Sequence, residues 1–298
     1  MTTTAGTAPH ASPSRRLQAW LYRRPRLQLV LLLALPLLAL VVAYLGSLGL
    51  LLINAFWRYD PTTGGLDRTF SLANFLQIAG SAVYRTITLR TVGLAFLVTI
   101  TCAAIGFPVA YYMARIASPR VRGLLVVTIL LPLWASYLVK VFAWRAILQE
   151  QGVLNWLLRP LGLEGPGYGD VAVWLVFTYL WLPYMILPIQ AGLERIPSSL
   201  LEASADLGGR TGMTFRRVIL PLAFPAVVAG SIFTFSLTLG DYITPTLVSS
   251  TQFLGNVVQR EVGVSGNLPL AAAVATIPII VMLLYLFVAR RLGAFEAL

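Results

Sequence analysis

Asp241 is the residue of this 298-residue sequence whose position most demands a reason. It stands in Gly240-Asp241-Tyr242, with Thr244 and Pro245 just beyond, late in an otherwise apolar run at 222–248. A carboxylate placed in a membrane span costs ~2.5–3.5 kcal/mol on insertion scales, so such groups face a water-filled cavity or a partner. Gly240 and Pro245 can loosen a helix where backbone groups line a path. Three readings are open: Asp241 attracts a cation, it forms a structural ion pair with Lys140 or Arg145, or it marks a helix end near the membrane surface. A second set, Trp134, Tyr137, Lys140 and Trp144, recurs every three to four residues, which predicts one face of a helix. Aromatic faces hold ammonium groups by cation–π attraction worth ~0.5–2 kcal/mol each. Ordinary helix packing, or an interfacial belt for Trp144, explains the same spacing. Lys140 and Arg145 argue against selection by charge alone. His10 lies in a polar tail, Cys102 stands alone, and Glu150, Glu164 and Asp170 lack metal-ligand spacing. No catalytic set or metal site is therefore expected.

The elements that must position these residues follow from composition. The chain is 58% hydrophobic and 11% charged, against ~45–50% and ~25% in soluble domains. Its solvent is lipid. A bilayer core needs ~20 apolar residues in a helix, and six runs qualify, at 27–56, 87–113, 124–148, 171–193, 222–248 and 270–289. The net charge of +11 would fit nucleic-acid binding if the basic residues formed a stripe, but they alternate with the runs. Fourteen of the 22 fall before run one, between runs two and three, between four and five, and after six; five fall in the opposite loops. The positive-inside rule then puts both termini in the cytoplasm, and no nucleic-acid partner is expected.

Ser14-Arg15-Arg16 faintly resembles a twin-arginine export signal, but the apolar stretch after it is span-length and no small-x-small site follows, so an uncleaved first helix is expected. The organisation read from the sequence is a tail at 1–26, a first helix at 27–56, a transmembrane domain at 70–290 and a C-terminal tail at 291–298. Prolines at 108, 132, 183, 188, 225, 245 and 278 predict kinks. No internal repeat is visible, which removes the signature of many secondary transporters.

The loop at 194–221 carries the most information. Ser199 with Glu202 three residues on reads as a capping box opening a short helix after Pro197. Gly208 and Gly209 end it, and Thr211 reads as the cap of a second helix. Leu200, Leu201, Leu207, Met213, Phe215, Val218 and Ile219 are too apolar to be left in water. Glu202-Ala203-Ser204, then Gly208, then Ile219-Leu220-Pro221 resembles the EAA loop of permease subunits of ATP-binding-cassette importers, with Ser204 where the motif has a second alanine. Leu131-Pro-Leu-Trp-Ala-Ser-Tyr-Leu-Val-Lys-Val-Phe-Ala-Trp144, Gly152-Val-Leu-Asn155, Tyr184-Met-Ile-Leu-Pro188 and Gly240-Asp-Tyr-Ile-Thr-Pro-Thr-Leu-Val248 resemble the first permease of spermidine/putrescine importers. Relatives handling iron, thiamine, sulfate or opine-like compounds share parts of these motifs.

The resemblance implies an all-α polytopic membrane protein with the MetI-like type I importer fold, six transmembrane helices and a place in the inner membrane. It implies that the loop is a coupling helix docking on a cytoplasmic ATPase through Glu202, Ala203, Ser204, Gly208, Ile219, Leu220 and Pro221, with Arg210 as a further contact. The implied partners are a second homologous permease, two ATPase subunits, an extracytoplasmic substrate-binding protein, membrane lipid and a small-molecule substrate. No cofactor is implied for the chain itself: ATP and magnesium belong to the ATPase subunits, and the sequence has no G-x-x-x-x-G-K-[ST]. In that frame Asp241, Tyr242, Trp134, Tyr137, Lys140 and Trp144 are the candidates for a polyamine pathway. Competing classes are an ion-coupled secondary transporter, which needs more intramembrane carboxylates, an intramembrane enzyme, and a scaffold protein. Within the importer class the alternative is the same machine for another small solute.

Overall fold

A helix that is apolar on every side has no face for water, and the first element is of this kind. The computed structural model describes residues 22, 24–60 and 62–293 and divides the chain at Asn54 into two units. The first unit contains α1 (Leu27–Asn54). It passes through a π turn at Leu40–Leu45 shortly after Pro36, and none of its described side chains is buried within the unit. Two of its polar side chains bond its own backbone: Ser47 Oγ donates to Ala43 O at 2.6 Å and Asn54 Nδ2 to Leu50 O at 2.8 Å. The tail with His10, Arg15 and Arg16, and residues 294–298, lie outside the described residues.

The second unit begins with a short hairpin, β1 (Arg58–Tyr59) antiparallel to β2 (Leu66–Asp67). Helices follow: α2 (Ala73–Gly80), α3 (Ala82–Ile116), α4 (Pro119–Trp134), α5 (Tyr137–Leu148), α6 (Val153–Leu158), α7 (Asp170–Glu194), α8 (Ser198–Asp206), α9 (Thr211–Gly240), α10 (Ile243–Val248), α11 (Leu254–Gly263) and α12 (Leu268–Arg291). Among the described residues five helices, α1, α3, α7, α9 and α12, are each long and apolar enough to cross a membrane. The bent pair α4–α5 brings the number to six if it counts as one span.

The core is the mutual packing of α3, α7 and α9. Lipid offers helices no hydrophobic reason to associate, so close backbone approach through small residues has to supply the contact. Gly106 of α3 and Gly230 of α9 both face Met185 of α7; a Cβ on either would come within 3.3 Å of it. A Cβ on Gly192 of α7 would lie 2.3 Å from that of Ala226 on α9. Polar side chains bridge the same helices: Cys102 Sγ donates to Thr178 O at 3.6 Å and Trp174 Nε1 to Thr101 Oγ1 at 3.1 Å. Against α9, α12 places Tyr285, which donates to Ser231 Oγ at 2.7 Å and stacks on Phe235 at 4.2 Å.

Two runs expected to be single helices are broken. Run three bends by 95° at Ala135–Ser136, where both residues are extended, with ψ of 143° and 137°. Trp134 therefore ends one helix and Tyr137 starts the next, so the four residues expected on one face do not share a helix. Run five ends its helix at Gly240, turns through Asp241 (ψ 132°) and resumes at Ile243. The capping box is also corrected: α8 starts at Ser198 with Pro197 at its N-cap and no side-chain cap bond. Thr211 is likewise the first residue of α9, not its cap. Proline has no side-chain oxygen to cap the first turn; its φ of −63° suits the helix entry, and the Leu200 N–H donates to its carbonyl at 3.3 Å instead.

Candidate functional site

The two breaks meet. Asp241 accepts from the backbone N–H of Thr244 at 3.0 Å through Oδ1, so its carboxylate caps the first turn of α10. Its Oδ2 accepts a short hydrogen bond from the Tyr137 hydroxyl, at the first residue of α5. That hydroxyl is also 2.6 Å from Thr244 Oγ1, and Thr244 is fully buried. Gly255 presses on the far side: a Cβ there would lie 2.7 Å from the Asp241 carbonyl oxygen. Asn256 Nδ2 donates to Tyr242 O at 3.0 Å and to Thr246 Oγ1 at 2.6 Å, and Leu254 N donates to Thr91 Oγ1 at 3.0 Å. The Thr244 N–H and the Tyr242 carbonyl at the break are thus paired, which lipid requires of exposed backbone.

Neither Lys140 nor Arg145 pairs with Asp241 among the described residues; Arg145 lies over the Tyr168 ring at 5.9 Å. The ion-pair reading is thus overturned. Tyr137 stacks on Trp181 of α7 at 6.2 Å, and Trp181 touches Phe177 and Tyr184, whose ring in turn stacks on Phe233 of α9 at 6.5 Å. Trp181 is buried, yet its indole N–H has no acceptor among the described residues. Trp144 packs on Tyr179 at 5.4 Å. Trp134 is 90% exposed and apart from this cluster. Tyr242 lines a cleft of about 490 Å³ between the end of α9, α11 and α12, with Gly240, Gly255, Gln259 and Pro278. The arrangement is a half-buried carboxylate, hydrogen-bonded but unneutralised, beside a chain of aromatic rings. Trp181 and Phe233 escaped sequence reasoning, and Tyr184 entered it only as part of a motif, because they lie on helices where apolar packing explains any aromatic.

At the other end of the bundle, α8 and the turn after it form a projecting element. Gly208 has φ of +76°, the left-handed conformation that glycine adopts without strain. Gly209 N donates to Ser204 O at 2.8 Å, and a Cβ on Gly209 would lie 2.6 Å from that oxygen. Ser204 Oγ meets Thr214 Oγ1 at 2.8 Å, so the serine that replaces the motif's alanine ties α8 to α9. Glu202, Ala203, Gly208 and Arg210 are exposed. The loop's apolar residues divide: Leu201, Phe215 and Ile219 pack inward, while Leu200, Met213 and above all Leu207, 89% exposed, face out. Leu220 and Pro221 belong to α9. Asp170, at the start of α7, is 3.5 Å from Arg90 of α3 and accepts a hydrogen bond from Thr251.

Residues 106–295 match the family described as "Binding-protein-dependent transport system inner membrane component". The chain is 46% identical over 307 residues to the inner membrane ABC transporter permease protein YdcU of Escherichia coli K12, covering 96% of this chain and 98% of that one. It is 33% identical to the spermidine/putrescine transport system permease protein PotB of Haemophilus influenzae, over 70% and 75% of the two chains. In fold it is similar to a chain of a bacterial alginate ABC transporter solved in complex with alginate pentasaccharide-bound periplasmic protein, with a TM-score of 0.72 at 15% identity over 93% of this chain and 98% of that one. The helical bundle, the glycine-turned loop and the match over most of the chain lead to one assignment: this protein belongs to the inner membrane permease components of binding-protein-dependent transport systems.

Proposed function

We propose that the chain is one of two homologous permease subunits of an ATP-driven polyamine importer. Both termini are cytoplasmic, α8 docks on one of two ATPase subunits, and an extracytoplasmic binding protein delivers solute at the opposite face. The chain has no catalytic site of its own; it converts closure of the ATPase pair into rocking of its spans. Each state is favoured only by its differential affinity for ATP and solute.

The observation that carries the substrate class is Asp241. A carboxylate that meets only neutral donors, beside Tyr137 and the Trp181–Tyr184 rings, suits an ammonium group, which can exchange for the Tyr137 hydroxyl at Oδ2. The 33% identity to a spermidine/putrescine permease supports the same class. A second reading, an anionic solute, is favoured by Lys140 and Arg145 on α5, and the chain is also 30% identical, over 60% of its length, to the molybdenum transport permease ModB of Mycobacterium bovis.

The test is ATP hydrolysis by the reconstituted complex with its binding protein. Stimulation by spermidine or putrescine and not by molybdate is the expected result. Stimulation by molybdate alone would reject the polyamine class while keeping the importer.

A further inference from the structure

Arg115 and Arg122 stand where the loop leaves the membrane helices. From the last turn of α3, Arg115 Nη2 donates to Leu193 O at 2.5 Å and to Ile196 O at 2.7 Å. From the first turn of α4, Arg122 Nε donates to Met113 O at 2.8 Å and Nη2 to Ala114 O at 3.1 Å. Its Nη1 lies 3.3 Å from Glu194 Oε1, which also accepts from Gln190 Nε2 at 3.2 Å. The last carbonyls of a helix lack intrahelical partners and carry partial negative charge, so a guanidinium there is favoured by hydrogen bonding and by the helix dipole together.

Only Arg195, Ile196 and Pro197 separate the end of α7 from α8. Such a short segment would be a natural hinge. Here the Ile196 side chain is buried, its carbonyl is held by Arg115, and Pro197 has a fixed φ. The loop's other end is held by the same helix: Phe215 packs edge-on against Phe107 at 5.7 Å and Tyr111 at 5.9 Å. Phe107, Tyr111 and Arg115 follow one another at intervals of four, a single stripe of α3 that grips both ends of the loop.

We infer that Arg115 and Arg122 are positioning residues of transport: they weld the entry of α8 to the ends of α3, α4 and α7, so that a displacement of α8 displaces the core helices. The inference rests on the proposed docking of α8 on an ATPase. In a complex without this weld, the segment 195–197 absorbs the motion and hydrolysis no longer responds to events at the opposite face.

The experiment uses the full complex of both permeases, ATPase subunits and binding protein in lipid. It measures the ratio of ATP hydrolysis with and without binding protein plus spermidine. Arg115→Gln and Arg122→Gln are each expected to lower that ratio by at least about fivefold, the lower end for losing a coupling between two sites. Arg122→Lys, which keeps the charge beside Glu194, is expected to recover part of it. The exposed neighbour Arg120→Gln makes none of these contacts and is expected to behave as the unsubstituted complex does. An unchanged ratio in both glutamine variants, or a loss of ATPase co-purification that accounts for all of the change, overturns the inference. A wild-type complex whose hydrolysis ignores the binding protein overturns the importer reading on which it rests.

Discussion

The Tyr137 hydroxyl donates to the Asp241 carboxylate and meets Thr244 Oγ1, and these contacts join the breaks of two spans. Asp241→Asn is expected to lower uptake of a cationic solute about ten- to hundredfold, the range for losing a hydrogen bond to a charged group at about 1.5–3 kcal/mol. Tyr137→Phe leaves the carboxylate and the ring in place and removes only the competing hydroxyl at Oδ2, so it is expected to cost less and to change KM more than the maximal rate. Uptake kinetics of both variants in vesicles decide the matter, and Asp241→Asn at the wild-type rate and affinity would remove Asp241 from the pathway.

Close packing of α7 on α9 has a sharp sequence signature at Gly192. With its added Cβ 2.3 Å from that of Ala226, Gly192→Ala is expected to destabilise the purified chain by about 1–3 kcal/mol through overpacking. The exchanged pair Gly192→Ala with Ala226→Gly restores the volume and is expected to recover most of the loss. Thermal midpoints of the single and double variants in detergent give the coupling directly.

The turn after α8 makes two separate demands on glycine. Gly208→Ala strains a left-handed residue and is expected to cost about 1 kcal/mol, and Gly209→Ala is expected to cost more, because its Cβ would strike the Ser204 carbonyl. Ser204→Ala restores the motif's residue but loses the Thr214 contact, about 0.5–1.5 kcal/mol. Protease nicking of the loop, measured over time, is the readout.

Leu207 is the most exposed apolar side chain of the loop. Replacing an exposed residue changes stability by only about 0.5 kcal/mol, so Leu207→Asp is expected to leave the chain folded. At the centre of a docking surface the same change costs about 2 kcal/mol or more, and ATPase co-purification should fall. Normal recovery of the ATPase would place the docking contact elsewhere.

Asp60, in the turn between β1 and β2, is held at about 2 by hydrogen bonds from Thr62 and Thr63. A carboxyl below its unfolded value stabilises the folded state above that value, near 3.8, and loses the contribution as pH falls toward 2. The hairpin is therefore expected to be insensitive to pH from neutrality to about 4 and to loosen below it. Amide exchange at residues 62–65 across that range is the measurement, and Asp60→Asn should remove the larger part of the dependence, leaving that of Asp67, whose carboxyl is lowered by hydrogen bonds from Thr69.

The spans and the loop are legible in the sequence because their signals are local. Apolar length marks α3, α7, α9 and α12, and the glycine pair marks the end of α8. The break at Ala135–Ser136 is not legible, since apolar residues lie on both sides of it and hydropathy does not register direction. What sustains it is a partner more than a hundred residues away in sequence, Asp241. Run five's break was half visible in Gly240 and Pro245. The arginines of the loop root show the same limit: the sequence places them in a basic loop, but the carbonyls that Arg115 and Arg122 hold come from tertiary packing alone.

Breaking a span has an electrostatic consequence that an intact helix lacks. The last turn of α9 stops at Gly240 with no capping amide among the described residues, so its terminal carbonyls bring partial negative charge to the level of the break. Asp241 meanwhile spends one oxygen on the Thr244 amide and the other on Tyr137. A passing cation would thus meet two sources of negative potential, one from a side chain and one from the main chain. The second survives any substitution that keeps the backbone turned at this point.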